Sequence, residues 1–102
     1  MASVKVAITL EQETLRQVVI LSQDIFNARS GTVVAVALTS QAQKAGYPLT
    51  LELKVAEFRK HTWAKISQIR TLSVQRIGKR LARIPAADVT RVIEGQVEIL
   101  GQ

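Results

Sequence analysis

The stretch from Thr32 to Ser40, TVVAVALTS, decides how the rest of the chain is read. Its centre, Val33 to Leu38, is an unbroken run of small or branched apolar side chains. A run this short and Val-rich, entered through Gly31, reads as a strand buried on both faces, because a strand with one wet face would alternate. It stops at Thr39 and Ser40, which puts two hydroxyls at the mouth of an apolar strand. A rigid strand that delivers polar groups to the rim of a sheet is a good foundation for a site. The same two residues also suit the start of a loop, so their neighbours must decide between the readings.

The chain has 102 residues, enough for one domain with a single modest core. No apolar run approaches the roughly 20 residues needed to span a bilayer, so no membrane partner is expected. The opening MASVKVAITLEQE lacks the apolar core of a signal peptide, and a cytoplasmic location is the expectation. With no cysteine, disulfides and thiolate chemistry are excluded. One histidine and 8 scattered carboxylates show no metal-ligand spacing, so neither a metal nor another cofactor is expected. The charge is more informative. A net charge of +6 and a pI near 10.3 point to a polyanionic partner. The excess is concentrated in Arg59, Lys60, Lys65, Arg70, Arg76, Lys79, Arg80 and Arg83, a stretch without a single acid. That pattern favours phosphate binding over a merely solvated face.

Working outward, Val4 to Leu10 alternates as a half-buried strand, and Thr9 with Gln12 has capping-box spacing that predicts a short helix over Leu10 to Leu15. Val18 to Leu21 reads as a second buried strand. Ser22-Gln23-Asp24 and Asn27 to Gly31 read as turns that bracket Phe26. Beyond Ser40, the segment Leu49 to Val55 alternates clearly, Phe58 to Thr62 reads as a basic loop, and Trp63 to Leu72 is a further strand. Its alternation would put Ile66, Gln68, Arg70 and Leu72 on one face. Ser73 to Arg76 suits a single helical turn, and Arg80 to Ile84 a last short strand. Pro85 and Asp88 then open a helix whose Val89, Val92, Ile93, Val97 and Leu100 recur on one face, with Gly95 an unfavourable residue inside it. With no repeat and no linker, residues 1–102 are expected to form a single domain: an α+β, mainly β barrel or strongly bent sheet with a C-terminal helix.

From Val18 onward, the blocks VVILSQDIFN, VVAVALTSQ, YPLTLEL, KISQIRTL and RIGKRLARI, followed by the Pro85-led helix, resemble the MazF/PemK family of toxin endoribonucleases. The order and spacing of SQDIFN, LTSQ and SQIRTL carry the resemblance. It implies a small SH3-like barrel, a homodimer, metal-independent cleavage of single-stranded RNA, chiefly messenger RNA, and inhibition by a cognate antitoxin. It also implies site residues. Arg16, before the second apolar run, matches the family's key arginine, and Thr39 its key threonine or serine, so these two are the expected catalytic pair. Ser40 lies beside Thr39, and Gln68 and Arg70 fall in the block that lines the RNA groove, which makes all three substrate-binding candidates. His61 invites a proton-shuttle role, but no family motif falls on it.

The first 17 residues depart from the family, whose members open with a Gly-Asp-Ile/Val-Tyr/Trp strand and a Gly-rich loop ending in Arg-Pro. MASVKVAITLEQETLRQ resembles instead the start of a ribbon-helix-helix antitoxin, so residues 1–17 read as an atypical leader and 18–102 as the toxin barrel and helix. Three functions follow. The first is a toxin endoribonuclease. The second is an impaired or fused toxin that binds nucleic acid or antitoxin without cutting. The third is a regulator that lays the Val4–Leu10 ribbon on operator DNA. Within the altered start, Val4–Leu10 is expected to replace the missing first strand of the barrel.

Overall fold

The computed structural model describes residues 4–11, 14–55, 58 and 60–101. Six antiparallel strands and two helices follow in order: β1 (Val4–Glu11), β2 (Thr14–Ile20), α1 (Asp24–Ser30), β3 (Thr32–Thr39), β4 (Thr50–Leu53), β5 (Thr62–Ser73), β6 (Ile77–Ile84) and α2 (Ala86–Leu100). A 3₁₀ turn over Val74–Arg76 joins β5 to β6. The described strands form one sheet in the order β4-β5-β3-β2-β1-β6. No described helix is long and apolar enough to cross a membrane.

The Val-rich run is β3, and it sits inside the sheet between β2 and β5. Its two faces belong to two separate cores, as the unbroken apolar run requires. Val36 joins Val19, Leu53, Ala64, Ile66, Ile84 and Val92 on the side covered by α2. Val33 and Ala35 join Val18 and Leu72 on the other. The first core holds Leu53 from edge strand β4 and Ala82 and Ile84 from edge strand β6. In a flat six-stranded sheet those edges would stand roughly 24 Å apart. Gathering them around one core makes the sheet curl, and two register breaks in the β1–β6 pairing supply local bends of the kind such a curl requires. This is the barrel-like, mainly β architecture with a C-terminal helix that the sequence predicts.

Several expectations are corrected. The predicted helix over Leu10 to Leu15 is a hairpin. Leu10 pairs with Leu15 and Glu11 with Thr14, joined through residues 12 and 13, which lie outside the described residues, as does the capping residue Gln12. Ladder bonds along two flanking strands outcompete one local cap. β1 is hydrogen-bonded to β2 on one side and β6 on the other, so Val4–Glu11 is an internal strand of the sheet. A strand with both edges occupied has no edge left to pair across a dimer as a DNA-binding ribbon. The turn-rich segment around Phe26 is the helix α1, closed by Gly31 at φ 71° and anchored where Ser22 Oγ accepts the Val34 N–H at 2.9 Å. β6 starts three residues earlier than expected, at Ile77.

Helix α2 also differs. Pro85 stands just before the first turn, and only Val89, Val92 and Gly95 are buried, while Ile93, Val97 and Leu100 are exposed. Gly95 has a steric reason: a Cβ there would meet Ile66 Cδ1 at 3.0 Å and the Pro48 carbonyl oxygen at 3.2 Å. The helix accepts a poor helix former so that it can lie close against β5.

Candidate functional site

β5 is where the simple alternation fails, and the failure builds the site. Val36 pairs with Ile69, but the next β3 residue, Ala37, pairs with Lys65. β5 therefore carries three extra residues, Ile66, Ser67 and Gln68, that pair with no residue of β3. The bulge changes the phase of the strand. Ile66 turns into the α2-side core, and its N–H bonds to the Leu49 carbonyl at 2.9 Å. Leu72 lies in the opposite core, so the single face predicted for Ile66, Gln68, Arg70 and Leu72 does not exist. The same phase change lets Lys65, Gln68 and Arg70 converge on one cavity, although 65 and 68 have opposite parity in sequence.

That cavity, of about 250 Å³, opens on the face of β3 away from α2. Its floor is Val18 and Ala37, its rim Thr39 and Gln17, and its far wall Lys65, Gln68 and Arg70. Leu38 also borders it, although it packs against the α2-side core. The short side chain at position 37 leaves the space. Thr39, Gln68 and Arg70, singled out separately in sequence, are thus brought together. Thr39 ends β3, where its Oγ1 accepts the Gln41 N–H at 3.1 Å. That contact uses a lone pair and fixes the hydroxyl in a local turn. Among the described residues no acceptor takes the hydroxyl hydrogen, which remains available to donate to a ligand.

Arg16 is placed by its backbone alone. It lies in β2 opposite Thr9, next to Gln17 on the rim and with the strand parity of Val18 on the floor. Ser40 follows Thr39 but is exposed and lines no part of the cavity. His61 is also elsewhere: its Nδ1 is 2.6 Å from Glu52 Oε2, its ring stacks on Trp63, and it borders a second cavity. Lys65 and Gln17 are the wall and rim residues that sequence reading did not single out. Lys65 belongs to the acid-free basic stretch, and that was its only signal. Two basic wall residues, a hydroxyl donor and an amide around a small apolar floor suit a phosphodiester and the polar edge of a base.

The sequence profile of the PemK-like, MazF-like toxins of type II toxin–antitoxin systems matches residues 2–99. The chain belongs to this toxin family. The match includes the atypical first strand, in keeping with its place inside the sheet. Among relatives of the toxin, endoribonuclease EndoA of Bacillus subtilis is 30% identical over 86 residues, 82% of this chain and 74% of that protein. Endoribonuclease MazF of Staphylococcus saprophyticus is 34% identical over 73 residues, 70% of this chain and 61% of that protein. In fold, the toxin resembles the MazE–MazF structure from Deinococcus radiodurans, with a TM-score of 0.82 at 23% identity over 96% of this chain and 92% of that one. It also resembles a mycobacterial endoribonuclease in complex with its cognate antitoxin, with a TM-score of 0.80 at 19% identity over 95% and 91% of the two chains.

Proposed function

We propose that this toxin is an endoribonuclease that cleaves single-stranded RNA in the Thr39 cavity without a metal ion. The observation that carries the reading is the convergence of Thr39, Lys65, Gln68 and Arg70 on one cavity of a chain that belongs to the toxin family. RNA brings its own nucleophile. The 2′-hydroxyl loses its proton to water as its oxygen attacks the adjacent phosphorus, and a new O–P bond forms. The bond to the 5′-oxygen breaks, and that oxygen takes up a proton from water to leave as the 5′-hydroxyl. The site then has to align these atoms and stabilise the charge that builds on the phosphoryl oxygens.

Arg16 and Thr39 are the proposed catalytic pair. Thr39 donates its hydroxyl hydrogen to a non-bridging oxygen, and Arg16 holds the phosphate through its fork of donors. Arg70 and Gln68 bind the strand next to the scissile step, Lys65 adds a positive charge to the wall, and Ser40 contacts the strand outside the cavity. The proposed setting is the cytoplasm, with a cognate antitoxin as inhibitor. A second copy of the chain is a further proposed partner, supported by the exposed Ile93, Val97 and Leu100 of α2.

A second reading, a toxin that binds RNA without cutting it, has one observation in its favour. β1 and β2 are joined by residues 12 and 13 alone, which leaves no long loop there to cover the cavity. Purified protein incubated with mixed-sequence single-stranded RNA in EDTA separates the two. Cuts that vanish in Thr39→Ala support the nuclease, and intact RNA with a folded protein supports the binder. Arg16→Lys sharpens the result, because lysine keeps the charge but not the fork, and most of the activity should be lost. Cleavage at the wild-type rate by that variant would remove Arg16 from the site.

A further inference from the structure

The second cavity, about 440 Å³, lies beside β4 and is bordered by Glu52, Lys54, Phe58, Lys60 and His61. It continues the row of residues that begins at Thr39. Trp63 pairs with Thr39 of β3 on one side and with Glu52 of β4 on the other. Residues directly opposite in an antiparallel pair share a face. Thr39, Trp63 and Glu52 therefore form one row across the sheet, spanning roughly 10 Å at the usual inter-strand spacing.

Just before β5 begins, two residues ahead of Trp63, the His61 ring stacks on the indole with centroids 6.1 Å apart and planes 28° apart. The His61 side chain is 80% exposed, so its outer face is open to solvent, and the 2.6 Å contact from Nδ1 to Glu52 Oε2 fixes how the ring is turned. Lys54 and Lys60, both exposed, stand on the same cavity. An aromatic ring held flat, backed by a second ring and flanked by two lysines, is the combination that binds single-stranded nucleic acid: stacking for a base and cations for its phosphates. The Glu52 carboxylate is engaged by His61, which reduces its opposition to a phosphate.

We propose that His61, backed by Trp63 and flanked by Lys54 and Lys60, is a second nucleotide subsite that stacks one base of the RNA strand beyond the scissile step. This rests on the ribonuclease reading above. The subsite lengthens the footprint of the toxin on RNA from the Thr39 cavity across β5 to β4. Because every base has a flat face, it adds affinity without demanding a particular base.

Trp63 is the chain's single tryptophan and stands between Thr39 and His61, so its emission reports on RNA along this row, and the His61 variants assign the signal to the subsite. The probe is fluorescein-labelled, mixed-sequence RNA with 2′-O-methyl sugars, which lacks the nucleophile and stays uncut. Binding is read by anisotropy, Trp63 emission is read in the same titration, and cleavage of ordinary single-stranded RNA is measured in parallel. We expect binding to quench Trp63, His61→Ala to weaken binding about tenfold, and His61→Phe, which keeps a stacking face, to restore it. Cleavage of ordinary RNA together with unmoved Trp63 emission and an unchanged affinity in His61→Ala would overturn the subsite and leave the nuclease reading standing. Neither binding nor cleavage by a folded protein would overturn both.

Discussion

The two faces of β3 are built from similar residues and do opposite work. On the α2 side Val36 is wholly enclosed by Ile66, Val92 and the rest of one core. On the other side burial fades along the strand, from Val33 and Ala35, which are covered, through half-buried Ala37 to Thr39 at the cavity rim. The closed face fixes the position of the strand. The fading face uses that fixed position to hold a hydroxyl where a ligand can reach it. A site at the end of a strand is only as well placed as the packing behind it, and here the packing lies one side chain away, across the same backbone.

The sharpest way to break this contrast is Thr39→Ala. Cleavage of single-stranded RNA should fall by about 10²–10³-fold, the usual effect of removing one donor to a developing oxyanion, while the thermal midpoint stays close to wild type. Loss of both together would mean that the rim is structural. Ile66→Ala tests the closed face. It removes a side chain that is 1% exposed and should lower unfolding stability by about 3 kcal/mol in urea titrations. Residual activity under folding conditions is expected to survive that change. Lys65→Gln, on the cavity wall, should weaken RNA binding about tenfold at low salt and flatten its dependence on salt concentration, since one phosphate contact is lost. A salt slope equal to wild type would take Lys65 off the substrate path.

The smallest effect is expected at Ser22→Ala. It leaves the Val34 N–H without its side-chain acceptor and should reduce stability by about 1 kcal/mol with no change in cleavage.

What could be read in the sequence follows from how each element is stabilised. β3 carries its burial in its own apolar pattern and is legible. The C-terminal helix and β4 are legible as elements, but Ile93, Val97 and Leu100 of the expected helix face are exposed and β4 spans only Thr50–Leu53. Thr39 is legible because it ends such a run, and Gln68 and Arg70 because a family block contains them. α1 is not, since its Asn, Ser and Arg residues read as turns and its anchor, Ser22, acts on Val34 across the chain. The β1–β2 hairpin is hidden by a capping pair that proves weaker than the ladder. The bulge in β5 is not legible, because it is defined by which residues of β5 pair with β3, and that pairing is not written in the strand's own sequence. Lys65 owes its place in the site to that pairing, and Gln17 to its position in β2 next to Val18, which pairs with Ala37. Gly95, a poor helix former on its own, becomes intelligible only beside Ile66 and Pro48.

The same bulge has a consequence for how such a toxin can diversify. Ser67 and Gln68 are exposed and sit between two stretches of ladder, bound by neither to β3. A new side chain at Gln68, which lines the cavity, would alter what the cavity presents, while Ile66 continues to anchor the interior and Arg70 remains opposite Ala35. Substrate preference can therefore drift through many sequences on a scaffold that does not have to be refolded for each one.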